Sequence, residues 1–379
     1  MRVLHLLKTS VGAGWALREI HELLKLGIDV HVALPSGGPF VGKYREAGAT
    51  EHLLQTDFPI RAPWEFPTLA KKLNNLIEEI NPSIIHSHFV GTTLTMRLSL
   101  GRRHPVPRIF QVPGPLHLEH PFFRRAEIAT AGPSDYWIGS CEWTCKRYRD
   151  SGISGDRIFL SYYGGDFEKL RVGQPGYLRN ELHLSAETKI VGMVAFMYAP
   201  KRYLGQKRGL KGHEDLIDAF KICLAKDQNL RCVIVGGAWN HATEYEEAIR
   251  QYARKQCDDN VIFLGTRYDI SDLYAGFDVA VHPSHSENVG GAGESCSLGI
   301  PTIATQVGGF PDIVQDGVTG WLVPPKNPPA LAEAIMEALS NREETQKRAC
   351  AGQKRAAQLF DIRKTASEVA EIYKLICSH

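Results

Sequence analysis

Short apolar runs and helical apolar stripes follow one another along the first half of the chain. The run RVLHLL leads into a glycine loop and then into WALREIHELLKLG, where Leu17, Ile20, Leu23 and Leu24 lie on one helical face. DVHVAL, SIIHSHF, RIFQV and YWIGS are further apolar runs, and TLAKKLNNLIEEI carries another helical stripe. Strands that alternate with helices in this way predict a parallel sheet with helices on both faces.

The same alternation begins again at KIVGMVAFM. Its further strands are RCVIVGG, NVIFLG, DVAVHPS, PTIATQ and GWLVP, and its helices include EDLIDAFKICLA and EYEEAIRQYARKQ. The glycine-rich stretch YYGGDFEKLRVGQPG separates the two series. We therefore predict two doubly wound, Rossmann-like α/β domains, residues 1–165 and 166–358, facing each other across a cleft, followed by a last helix within 359–379 that Asp361 caps.

Composition narrows the class of protein. The 379 residues are 43% hydrophobic and 23% charged, which is typical of a globular chain, and the net charge of +2 gives no electrostatic case for nucleic acid. No apolar run approaches the roughly 20 residues of a membrane span, and the amino terminus lacks a signal-peptide cleavage site. Eight cysteines without a Cys-x-x-Cys pair favour a reducing, cytoplasmic setting.

The first glycine loop, TSVGAGWA, follows a predicted strand and opens a helix. Gly12 and Gly14 match the start of a dinucleotide fingerprint, but Leu17 occupies the place of the third glycine, and no acidic residue ends the second strand. A dinucleotide oxidoreductase is therefore the least favoured function. The loop fits either an anion at the helix N-terminus or a simple tight turn.

A second candidate loop, APKRYLGQKRGLKGHEDL, is rich in lysine and arginine after a strand. Arg202, Arg208 and Lys211 fit a clamp on phosphate oxygens, although no Walker motif is present. A solvated basic loop remains the alternative.

The third loop, PSHSENVGGAGES, carries Glu287 and Glu294 on either side of a small-residue run. The amides of Gly290 to Gly293 suit a diphosphate just before a helix that we place at Glu294. The two carboxylates suit the hydroxyls of a ribose and a hexose. The alternatives are a helix-start acid for Glu294 and a surface charge for Glu287.

No metal site is predicted. The chain contains no Asp-x-Asp motif, so amides and basic side chains are expected to hold the diphosphate. His86 and His88, in IIHSHF, lie two residues apart at a strand end, but without a third ligand a polar lining is favoured over a metal pair.

These motifs resemble glycosyltransferase family 4, retaining enzymes of the GT-B fold. The resemblance rests on KGHEDLIDAF, VIVGG, SENVGGAGE and ESCSLGIPTIATQVGGFPDIVQDGVTGWLVPP, and more loosely on INPSIIHSHF and DYWIGSCEWTCKRY. It implies that the amino-terminal domain binds the acceptor, that the carboxyl-terminal domain binds a nucleotide-diphosphate sugar, and that the last helix crosses back to the amino-terminal domain.

The resemblance also assigns roles. Lys211 would hold the diphosphate, Glu294 the ribose and Glu287 the transferred sugar, while Arg267 and Tyr268 would border the base. The predicted catalytic residues are His117, Lys211 and Glu287, and the predicted acceptor-binding residues are His88 and His117. The predicted donor-binding residues are Gly12, Gly14, Arg202, Arg208, Lys211, Arg267, Tyr268, Glu287, Asn288, Val289, Gly290, Gly291, Ala292 and Glu294.

The chain departs from the family pattern at three places. Six residues instead of seven separate the paired glutamates. Ala195-Phe196 stands where the family usually has Gly-Arg, which leaves Arg202 or Arg208 to replace the arginine. Pro113 stands where many members have a histidine, and His117 is the nearest substitute.

The expected activity is transfer of a sugar from a UDP or GDP sugar to a saccharide, lipid-linked saccharide or small-molecule hydroxyl, with retained configuration and without metal or cofactor. A role in bacterial polysaccharide or glycoconjugate synthesis fits the resemblance. WEFPTLAKKLNNLI and HPFFRRAEI fit either contact with the inner membrane face or cleft-rim packing. A nucleotide-sugar epimerase or phosphorylase-like enzyme of the same fold, and a non-catalytic sugar-binding paralogue, stay open.

Overall fold

The computed structural model describes residues 1–165, 173–174, 176–202 and 205–378. The chain divides into two compact units, Met1–Asp166 with Phe360–His379, and Phe167–Leu359. Much of the predicted glycine-rich linker, residues 166–172 and Pro175, lies outside the described residues. Among the helices described, none is long and apolar enough to cross a membrane.

The first unit, within its described residues, is built on a seven-stranded parallel sheet in the order β3-β2-β1-β4-β5-β6-β7. The strands are β1 (Arg2–Leu6), β2 (Asp29–Leu34), β3 (Thr50–Leu53), β4 (Ile84–Ser87), β5 (Arg108–Val112), β6 (Asp135–Gly139) and β7 (Ile158–Leu160). The helices are α1 (Gly14–Lys25), α2 (Lys43–Glu46), α3 (Phe66–Ile80), α4 (Val90–Leu100), α5 (Leu116–Glu119), α6 (Pro121–Ala129) and α7 (Glu142–Arg149), with 3-10 turns at Pro63–Glu65 and Gly155–Arg157.

The second unit has a six-stranded parallel sheet over the part of it that is described, in the order β10-β9-β8-β11-β12-β13. The strands are β8 (Lys189–Val194), β9 (Leu230–Val235), β10 (Val261–Gly265), β11 (Val279–His282), β12 (Thr302–Thr305) and β13 (Trp321–Val323). The helices are α8 (Tyr177–Glu181), α9 (His213–Leu224), α10 (Thr243–Cys257), α11 (Ile270–Tyr274), α12 (Gly290–Ser297), α13 (Phe310–Ile313), α14 (Pro328–Ser340) and α15 (Arg342–Phe360), with a 3-10 turn at Asp258–Asn260. Two doubly wound parallel sheets confirm the predicted fold class.

The last helix, α16 (Ile362–Cys377), belongs to the first unit. The Asp361 carboxylate accepts from the Arg363 amide at 2.9 Å, which is the predicted N-cap. Its apolar side, including Val369 and Tyr373, is buried in one core with Ile20 of α1. The return of this helix to the amino-terminal unit is therefore confirmed.

Candidate active site

The predicted site residues divide between the two units. Four loops of the second unit follow the carboxyl ends of β8, β9, β10 and β11. Because these strands are parallel neighbours, the loops emerge along one edge of the sheet. Lys211, Arg267 and Glu287 all lie in these loops.

Lys211 and Glu287 form an ion pair at this edge. Lys211 lies two residues before α9, Glu287 lies after β11, and the Lys211 ammonium donates to Oε2 of Glu287. Burial works to lower the pKa of Lys211, but the Glu287 carboxylate outweighs it and the pKa is raised. The lysine is therefore held as a cation, as contact with a phosphate requires.

The glycines before Glu294 let the backbone approach that ion pair closely. A Cβ at Gly290 would lie 2.9 Å from the Glu287 carboxyl carbon, and one at Gly291 would lie 2.7 Å from the His282 ring. Asn288 is buried, and its amide donates to Oε1 of Glu287 at 3.0 Å. A larger residue at Gly290 would collide with the Glu287 carboxylate, and one at Gly291 would collide with the His282 ring.

Helix α12 begins earlier than the sequence predicts. It starts at Gly290, with Val289 as N-cap and without a side-chain cap, so Ala292 belongs to its first turn. Glu294 lies one turn inside the helix and is exposed. The prediction that the helix opens at Glu294 is wrong, because the glycines adopt helical backbone once α12 packs on β11 and β12. The first-turn amides, which lack partners within a helix, are thus supplied by the small residues.

Of the two candidate arginines, Arg208 already has carboxylate partners. The Arg208 guanidinium pairs with Asp215 at 2.5 Å and with Asp218 at 2.7 Å, and it is half-buried. Asp215 is also 2.5 Å from Nε2 of His285, in the loop after β11. Asp215, on α9, therefore links Arg208 of the loop after β8 to His285 of the loop after β11, whereas Arg202 is exposed.

Arg267 and Tyr268 follow β10. Arg267 pairs with Glu181 at 2.6 Å and with Asp269 at 2.5 Å. Tyr268 is 95% exposed, which leaves its ring free to meet a ligand. The structure thus brings Lys211, Glu287 and the start of α12 together, while the loop after β10 forms a separate cluster.

In the first unit, the glycine loop joins β1 to α1. Gly12 has φ +80° and Ala13 has φ 59°, so the chain turns through the left-handed region before Gly14 starts the helix. This left-handed turn is a sufficient reason for glycine at position 12, and no bound ligand is needed to explain it.

His117 lies on α5 and is half-buried. Its Nε2 is 3.2 Å from the hydroxyl of Tyr148, and burial lowers the pKa of His117 to about 4. The ring is therefore neutral near pH 7.

His88 belongs to a buried histidine cluster that the sequence does not reveal. His5, His86 and His88 are fully buried at the ends of β1 and β4, with one ring nitrogen each within 4.8 Å of the others. Nδ1 of His5 is 2.9 Å from Nε2 of His88, and Nδ1 of His86 is 2.5 Å from the hydroxyl of Tyr373. The sequence does not indicate His5, because the single histidine in RVLHLL has no other histidine near it in the chain. It is the third histidine that the pair in IIHSHF lacked.

Acidification is expected to destabilise this unit. Burial lowers the pKa of His5 to about 3 and those of His86 and His88 well below the usual value, so the unfolded chain takes up protons first as the pH falls. Their stabilisation is present above a pH of about 6.5 and is lost below it, at about 1.4 kcal/mol per pH unit for each histidine. Burial also raises the pKa of Glu19 to about 7, which acts in the opposite direction for one group.

The measurement is urea unfolding between about pH 7 and about pH 5. His88→Gln should reduce the dependence on pH, and His21→Gln, at an exposed position of α1, should leave it unchanged. A free energy of unfolding that stays flat over this range would contradict the expectation.

Each of the two units matches a family of known proteins. Residues 15–169 match the family Glycosyltransferase Family 4, and residues 202–355 match Glycosyl transferases group 1. A D-inositol 3-phosphate glycosyltransferase of Saccharomonospora viridis is 28% identical over 56% of this chain and 48% of its own. The capsular polysaccharide biosynthesis glycosyltransferase CapM of Staphylococcus aureus is 28% identical over 45% of this chain and 44% of its own. The chain thus spans about half the length of the curated relatives it matches.

Solved structures share the whole fold. Anabaena Alr3699/HepE in complex with UDP has a TM-score of 0.81 and 22% identity, over 99% of this chain and 100% of that chain. The same protein in complex with UDP-glucose has a TM-score of 0.80 at 22% identity, over 99% of both chains. At this identity the likeness shows a common GT-B fold.

Proposed function

The chain belongs to glycosyltransferase family 4, and from this premise we propose that it transfers a hexose-type sugar from a nucleoside diphosphate to an acceptor hydroxyl with retained configuration. The observation that supports this best is the Lys211–Glu287 ion pair beside the glycine start of α12. A cation and free helix amides at one point suit a diphosphate. Two carboxylates nearby suit sugar hydroxyls.

Lys211 serves two steps in this proposal. On binding, the donor phosphates replace Glu287 as the partner of the ammonium group, and the released carboxylate accepts hydrogen bonds from the transferred sugar. As the glycosidic bond breaks, negative charge grows on the leaving diphosphate, and the lysine and the α12 amides stabilise it. The departing phosphate oxygen takes the proton of the acceptor hydroxyl, and the acceptor oxygen bonds to the anomeric carbon on the face from which the diphosphate leaves.

We also propose roles for the other predicted site residues. Glu294, exposed on α12, binds the ribose, and Tyr268 borders the base. His117, neutral near pH 7, contacts the acceptor. We propose that no divalent metal takes part, since Lys211 and the helix amides meet the charge that a metal would otherwise meet.

The relatives support the donor and acceptor classes that we propose. HepE was solved with UDP and UDP-glucose, which makes a UDP-hexose the first donor to test. The names of the curated relatives point to an inositol phosphate or a polysaccharide acceptor. A saccharide, lipid-linked saccharide or polyol phosphate is therefore the acceptor class that we propose, in polysaccharide or glycoconjugate synthesis.

The test is a thermal-shift screen of nucleotide sugars, followed by turnover assays with and without EDTA. We expect a UDP-hexose to raise the melting temperature and to be consumed only when an acceptor is present, at the same rate after EDTA treatment. Conversion of the donor without acceptor would indicate an epimerase. Binding without turnover against any acceptor would indicate a non-catalytic paralogue, and loss of turnover in EDTA would refute metal independence.

A further inference from the structure

Three aromatic side chains form a continuous row on the second unit, and none of them belongs to the site predicted from the sequence. Phe196 and Tyr198 follow β8, and Trp239 follows the neighbouring strand β9. The Phe196 and Trp239 rings are 5.2 Å apart, and the Tyr198 and Trp239 rings are 5.5 Å apart and stacked at 30°. We call these three residues the aromatic row.

The backbone beneath the row is held rigidly. The pairing of β8 with β9 continues past both strands, since the Met197 amide donates to Gly237 O at 2.9 Å and the Trp239 amide to Met197 O at 3.0 Å. Oε2 of Glu246 accepts from the Ala238 amide at 2.7 Å. Rings on a paired backbone lose little freedom when a ligand binds.

The row keeps large apolar surface in solvent. Phe196 is 38% exposed and Trp239 is 45% exposed. Phe196 also stands where the family resemblance leads us to expect an arginine. Adjacent exposed aromatic rings are a stacking surface for a planar ligand.

The position of Lys211 fixes which part of a donor could reach the row. Its ammonium group lies 5.6 Å from the centre of the Tyr198 ring, so the row starts at the cation that we assign to the diphosphate. In the sheet, β8 lies between β9, which carries Trp239, and β11, which carries Glu287. A diphosphate on Lys211 would thus direct the sugar toward Glu287 and the nucleoside toward Trp239.

We propose that the aromatic row is the nucleobase-stacking surface of the donor site, with Trp239 as its main contact. This inference rests on the proposed function. Stacking is tolerant of base identity, so the row supplies affinity for a nucleotide, while hydrogen bonds elsewhere select the base.

The test compares a ligand with a base and a ligand without one. Calorimetry with UDP and with inorganic pyrophosphate is done on the full chain, Trp239→Ala and Trp239→Phe. Loss of one stacking contact should weaken UDP binding about tenfold or more in Trp239→Ala, while Trp239→Phe should retain most of the affinity. Pyrophosphate binding should be unchanged in both variants. Trp64→Ala, at a 74% exposed tryptophan of the first unit, is the matched control.

The possible results distinguish an error about the aromatic row from an error about the donor site. If Trp239→Ala binds UDP with unchanged affinity while Lys211→Ala loses binding, the aromatic row is not the base-stacking surface. The proposed function would still stand. Equal weakening of UDP and pyrophosphate would also overturn the base-stacking role of the row, because the tryptophan would then support the loop and not the base. No UDP binding to the unaltered chain would refute the UDP donor. If Trp239→Ala does not fold, Phe196→Ala, at the other exposed ring, takes its place and must weaken UDP alone.

Discussion

Lys211→Ala is expected to abolish measurable donor binding and to lower kcat/KM by at least about 10² to 10³, the usual cost of one lost charge-stabilising contact. The ammonium group is the partner of Glu287 at the loop where the diphosphate is placed. Without it, a carboxylate remains close to the phosphates and repels them. The loss therefore affects both the ground state and the leaving group.

The measurement is calorimetry with UDP and a turnover assay with the donor that the screen identifies. Lys207→Ala is the matched control, since Lys207 lies in the same loop and is exposed. It should bind and turn over within a factor of about two of the unaltered chain, as surface charges contribute little. A Lys211→Ala variant that keeps full activity would refute the assignment of the diphosphate to this residue.

Arg97→Leu is expected to lower the free energy of unfolding by about 3 to 5 kcal/mol, because it removes one member of a fully buried ion network. Arg97, on α4, donates to Glu127 at 2.6 Å and to Asp135 at 2.9 Å, and Arg108 donates to Asp135 at 2.6 Å. All four side chains are buried. The two carboxylates would be left with one cation in an interior that cannot solvate them.

Urea unfolding checks this value. Lys146→Ala removes an exposed ion pair with Asp150, 2.7 Å long, and should cost less than about 1 kcal/mol. The network is also connected to His117. The Tyr148 hydroxyl is hydrogen-bonded to His117, and Tyr148 lies beside Glu127. A cost for Arg97→Leu as small as that of Lys146→Ala would show that the network does not stabilise the unit.

Regular patterns of hydrophobic residues in the sequence were sufficient to predict much of the fold. The last helix and its cap at Asp361 were predicted and observed, because the periodicity and the capping residue of a helix are local features of the sequence. Helix α4 was not predicted, since Thr92, Thr93 and Arg97 occupy its buried side and break the apolar period. Edge strand β3 was missed as well, because TEHL is short and mostly polar.

The sequence alone therefore determined the alternation of elements, the two parallel sheets and the loops in which Lys211, Glu287 and the glycines lie, because those features are set by local period and by strand ends. Tertiary structure alone decided which side chains meet. Lys211 and Glu287 are 76 residues apart, and His86 and Tyr373 are 287 apart. Contacts at such separations leave no local pattern, since only the packing of whole strands and helices brings the groups within bonding distance.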